Sequence, residues 1–163
     1  MTALPPYTYI PGRTPHPVSD PRGHSYGITA PPVTQFDPQH PEQSPRWREA
    51  VALFEAGYYW ESHEAWESLW HFVGRSGPVG DCLKGLIKWA AAGVKAHEGR
   101  PAGVGRHCDR AAELLRPYAE ISPIAQLDVR TILSRIEAAR TTFFSSGDDA
   151  TTEVTPWPGW TLR

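Results

Sequence analysis

Cysteine is nearly absent from this chain. Cys82 and Cys108 are the whole supply in 163 residues, and they do not form a CxxC pair. A disulfide framework or a thiolate zinc site therefore has too few sulfurs, and both residues read as small core side chains. An excess of positive charge is also missing: 16 Lys and Arg stand against 18 Asp and Glu. Nothing in that balance can grasp a phosphate backbone, which argues against nucleic acid as a partner. Long apolar runs are lacking too. The longest, near WAAAGV, is too short to span a bilayer, and the opening MTALPPYTYI has neither the basic start nor the apolar run of a signal peptide. No membrane partner is expected, and the reading is a soluble, cytoplasmic protein of one domain with a single core.

Proline is plentiful but unevenly spread. Ten of the 17 prolines precede Ser44, which excludes a helix or sheet there. Residues 1–44 are read as an extended arm. Its anchors Tyr7, Tyr9, Ile10, Tyr26 and Phe36 suit it to wrapping over a helical body. The body spans residues 45–146. Ser44 and Pro45 open a first helix that runs to Gly57. A second covers about Tyr58 to Gly74, where GRSGPVG breaks the chain. A third runs from Pro78 to Glu98, with Val79, Cys82, Leu83, Leu86, Ile87, Ala90 and Val94 at helical spacing. The fourth runs from Pro101 to about Ala119, and a fifth is expected to start at Ser122-Pro123 and to carry Val129, Ile132, Ile136 and Phe143. No segment alternates like a strand for long. Short connections make neighbouring helices antiparallel, so the fold class is all-α, a single bundle of four to five helices. The tail is residues 147–163; its stretch TPWPGWTLR is too broken by proline for a helix, and Trp157 and Trp160 suit it to docking by aromatic burial.

The chemistry concentrates in YWESHEAWESLWH, residues 59–71, with three Trp, three Glu and two His. On a helix, Tyr59, Ser62, Trp66, Leu69, Trp70 and Val73 form one stripe, and Trp60, His63, Glu64, Glu67 and His71 form another. What is left for water is a strip of Glu61, Ala65, Ser68 and Phe72, too narrow and too apolar for an ordinary solvated side. The second stripe is thus expected to face protein or a cleft, and its carboxylates need a partner there.

Three readings stay open. In the first, His63, Glu67 and His71 bind a divalent metal, since positions four apart sit one turn above each other, and Glu64 serves as base beside a bound water. The spacing is similar to the HExxH of zinc proteases, with Glu67 where the second histidine stands. One helix cannot complete a coordination shell, so further ligands would come from His97, His107, His16, Asp20 or His24. In the second reading Lys84 and Lys88 of the third helix pair with Glu64 and Glu67, and the network only sets packing in a non-enzymatic scaffold or interaction module. In the third, the cluster is a metal-free small-molecule or acid–base site, in which repulsion between Glu64 and Glu67 raises one pKa.

The leading functional expectation is a small-molecule site, with metal-assisted hydrolysis as one chemistry open to it; the cofactor is left open and a divalent metal is not favoured. Glu64 acts as base, His63 and Glu67 as ligands or orienting groups, Lys84 or Lys88 as anion anchor, and Trp60 as a ligand contact. Three tryptophans on one helix also fit a homodimer face.

Two stretches, FEAGYYWESHEAWESLW at 54–70 and LKGLIKWAAAGVKAHEG at 83–99, resemble the bacterial and archaeal family catalogued as domain of unknown function 309. The resemblance runs over roughly residues 45–117 and implies a small α-helical bundle. It lends no established reaction. The motif positions fall on Glu61, His63, Glu64, Trp66, Glu67 and Trp70. Lys84 and Lys88 stand where the family pattern has glutamines, and an ammonium there would compete with a metal for the two acids. LFEAGYYWESHEAW is also similar to one helix–turn–helix unit of tetratricopeptide repeats, but no second copy follows at a period near 34, so a repeat array is not expected.

Overall fold

The computed structural model describes residues 3–146, 157 and 160–162. Five helices carry the body: α1 (Pro45–Glu55), α2 (Tyr59–Phe72), α3 (Gly77–His97), α4 (Pro101–Leu115) and α5 (Val129–Ser145). The described residues contain no strand, only an isolated bridge between Ile124 and Leu127. The all-α bundle is thus the architecture. No helix among the described residues is long and apolar enough to cross a membrane.

Local chemistry sets the boundaries. The Ser44 side chain accepts the Trp47 amide, and Pro45 fills the first position of α1, where its missing N–H is not needed. Gly57, at φ 83°, ends α1 in a conformation that a side chain would strain, and α2 starts two residues later. The fifth helix begins later than its proline suggests. Ser122–Pro123 opens a turn through Ala125 and Gln126, both at positive φ, and the side chain of Asp128 then caps α5 by accepting the Arg130 amide.

Consecutive helices are antiparallel. Tyr59 at the start of α2 meets His97 at the end of α3, while Trp70 near the end of α2 meets Lys84 near the start of α3. The backbones come close where glycine permits: a Cβ on Gly93 would lie 2.4 Å from the Tyr59 ring, and one on Gly85 2.7 Å from the Leu115 side chain. The core runs through all five helices, with Phe54, Tyr59, Trp66, Leu69, Trp89, Val104, Leu115 and Val129 fully buried. Cys82 and Cys108 are free and buried within it, and burial pushes both thiols up to about 12.

Both flanking segments pack on the α1–α2 corner. Of the tail, residues 147–156, 158, 159 and 163 lie outside the described residues. Trp160 enters the core between Tyr59 and Trp89, and its indole N–H donates to the Ala139 carbonyl. Glu55 accepts the Leu162 amide and the Thr161 hydroxyl, and the Tyr59 hydroxyl accepts the Trp157 amide. Burial drives the Tyr59 phenol well above its ordinary range. The arm folds back over α1 and α2. Phe36 stacks on Trp47, and Arg46 donates to the Pro31 carbonyl.

Candidate functional site

α2 buries the stripe of Tyr59, Ser62, Trp66 and Leu69, and the Ser62 hydroxyl satisfies itself on the Ala50 carbonyl. That anchoring turns the second stripe toward the side. His63 and Glu67 are half-buried, while Glu64 and His71 are exposed. His63, Glu64 and Glu67 each offer an atom within 4.8 Å of the others, the one such group of histidine, cysteine or carboxylate side chains among the described residues. The His63 Nδ1 lies 3.3 Å from a Glu64 oxygen. His71 stands outside this trio.

The acid that goes inside is a different one. Glu61, assigned by periodicity to the strip for water, is only 7% exposed. Its carboxylate accepts the Thr8 hydroxyl at 2.6 Å and the Tyr9 amide at 2.8 Å, and His24 Nε2 lies 3.2 Å away. Ala65 is buried and Ser68 half-buried, while Phe72 keeps 44% exposure. The arm covers the Glu61 end of this strip, while Ala65 and Ser68 face the groove and Phe72 faces water. A neighbouring aromatic group of Tyr9, His16 and Trp60, with centroids 4.8–5.4 Å apart, continues the contact.

Between arm and helices lies a groove of about 590 Å³, within the size range of small-ligand sites. Trp60, Glu64, Ala65, Glu67 and Ser68 form its α2 wall, and Val18, His24 and Ile28 its arm wall. Leu53 and the Arg46–Glu49 ion pair of α1 close one side. Glu64 and Glu67 belong both to the groove and to the trio with His63.

The remaining candidates are scattered. The Lys84 ammonium sits 5.1 Å from the centre of the Trp70 ring, and neither Lys84 nor Lys88 forms an ion pair with Glu64 or Glu67. His97 is buried in the core, its ring 5.0 Å from that of Tyr59. Asp20 is committed to Arg22, whose hydrogen bonds hold its carboxyl down to about 2. His16 joins the aromatic group and His24 joins Glu61. His107 on α4 is half-buried; burial lowers its pKa, and the nearby charges of Lys88, Lys95, Arg106 and His63 lower it further. Sequence reasoning missed the Glu61 receptor for the arm. The one signal was an acid on a strip too apolar to be solvated.

This geometry defines a small helical bundle with a histidine–carboxylate trio at the mouth of a groove. Residues 47–106 match the family described as Domain of unknown function (DUF309), the family that the α2 motif resembles. The matched span takes in Glu61, His63, Glu64, Glu67, Lys84 and Lys88; the arm, the tail and His107 lie outside it. No curated protein and no solved structure matches the chain.

Proposed function

We propose that the groove between the arm and α2 is a small-molecule site, that His63 and Glu67 hold a divalent cation at its mouth with Glu64 beside it as base, and that metal-assisted hydrolysis is its chemistry. The observation that carries this reading is the approach of three ligand-type atoms to within 4.8 Å of one another at the edge of a cavity. His63 and Glu67 lie one helical turn apart and supply a nitrogen and an oxygen, a donor set suited to zinc or a similar ion. A bound cation would supply the activation of a water molecule at neutral pH. Glu64 is the exposed member of the trio and lines the groove, so it is the residue placed to take a proton. Trp60 gives the groove an aromatic wall. Neither Lys84 nor Lys88 lines the groove; Lys84 is held over Trp70, so of the two the half-buried Lys88 is the one left to meet an anionic group of a ligand that reaches beyond it.

The test is elemental analysis of protein purified without chelators or a histidine tag, then loaded with zinc or manganese and desalted. The wild type should retain one ion per chain and the Glu67→Gln variant should lose it. Substoichiometric metal in the loaded wild type would remove the metal-assisted version. The metal-free Glu64→Gln/Glu67→Gln double variant should keep its stability within about 1 kcal/mol, because neither acid holds a buried partner. A loss of more than about 2 kcal/mol would instead assign the acids to holding the bundle together.

A further inference from the structure

The arm divides into three parts with different attachments. Residues 7–25 form a hook closed by its own hydrogen bonds: the Tyr7 hydroxyl donates to the Pro15 carbonyl, the His24 amide to the Tyr7 hydroxyl, and the Ser25 amide to the Pro17 carbonyl. A Cβ at Gly23 would lie 2.3 Å from the carbonyl oxygens of His16 and Pro17, so the hook closes only around glycine. Ile10 is buried but is not part of the bundle's core cluster. The hook thus has a small interior of its own. Residues 26–32 are all exposed, and their one side-chain hydrogen bond to the helices is from Arg46 to Pro31. From Val33 onward the chain packs against the core again, through Val33 and Phe36.

Among the described residues, the hook's hydrogen bonds and ring contacts to the helices all fall on two adjacent positions of α2, Trp60 and Glu61. This attachment is local, with polar contacts at Glu61 and ring contacts at the half-buried Trp60. A buried carboxylate is stable only while its donors are present, and once they leave it is stable in water instead. Attachment and release are therefore close alternatives, unlike the withdrawal of a core side chain. The same hook supplies Val18, His24 and Ser25 to the wall of the groove.

We propose that residues 7–25 are a detachable strap, with 26–32 as hinge and Glu61 as latch, and that its release opens the groove. This rests on the groove being the ligand site, but the strap's movement is measured without ligand or metal. The experiment uses the full chain with Ser68→Cys, a half-buried groove position. The native thiols, buried and titrating at about 12, stay silent toward a disulfide reagent at pH 8. Adding Glu61→Gln should raise the labelling rate of Cys at position 68 by about tenfold or more, as expected for losing charge-assisted hydrogen bonds. Hydrogen exchange should speed up at the Tyr9 amide, which donates to Glu61, and not at the Ser25 amide, which bonds within the hook. Thr8→Val removes one donor from the strap without touching the helices and should shift the rate in the same direction by less. Unchanged labelling in both variants would overturn the proposal. So would equal acceleration of the Tyr9, Ser25 and core amides, which would make Glu61 a structural residue of the whole fold. A strap that opens while the metal analysis fails leaves the gate standing and removes only the cation.

Discussion

His107 is held in its neutral form by burial first and by Lys88, Lys95, Arg106 and His63 after that. Its folded pKa lies below the ordinary 6.5, so as pH falls through that value the unfolded chain takes up the proton first. Stability is fully present above about 6.5 and declines as pH drops toward the folded value. Urea midpoints measured at pH 7.5 and 5.5 should therefore converge in a His107→Gln variant and differ more in the wild type. The histidine–acid trio could be read from the sequence because His63, Glu64 and Glu67 are close in the chain, and helical geometry alone brings them together. Glu61 could not be placed in that way. Its partners Thr8 and His24 lie 53 and 37 residues away in an aperiodic arm, and no local pattern ties them to α2.

Among the elements, the α2–α3 pair meets at a close approach that leaves no room for a side chain. Gly93 lets the Tyr59 ring lie directly on the α3 backbone, and Tyr59 in turn contacts Phe54, His97 and Trp160. A Gly93→Ala methyl would have to displace a ring packed on several sides, so despite alanine's better helix propensity the variant should lose about 2 kcal/mol in urea denaturation. An unchanged midpoint would show that Tyr59 can move. The helix cores were readable because apolar residues recur on one face of each, and Ser44 with Pro45 marks the start of α1 correctly. At α5 the same logic misplaces the start. Ser122-Pro123 has the form of a cap and first turn, yet positive φ at Ala125 and Gln126 delays the helix until Asp128, and that backbone choice leaves no trace in hydrophobic spacing.

Taken whole, the molecule is a bundle that receives the arm's hook and the described tail residues at one corner. The arm's hook settles on Trp60 and Glu61, and the tail on Glu55 and Tyr59, so a short stretch around the α1–α2 turn receives both. The aromatic content of these segments hinted at docking, but composition does not say where, because Trp160 finds its place only once Tyr59, Trp89 and Ala139 surround it. Trp160→Ala would leave a void among large rings and should destabilise the bundle by about 3 kcal/mol, read from chemical denaturation monitored by circular dichroism. A loss below about 1 kcal/mol would mean that the helices close without it. Trp160 also bears on the order of biosynthesis. A ribosome that has delivered α1 through α5 has produced the five described helices but not yet the wedge between Tyr59 and Trp89, so the nascent bundle carries an unfilled apolar notch until the following segment clears the exit tunnel.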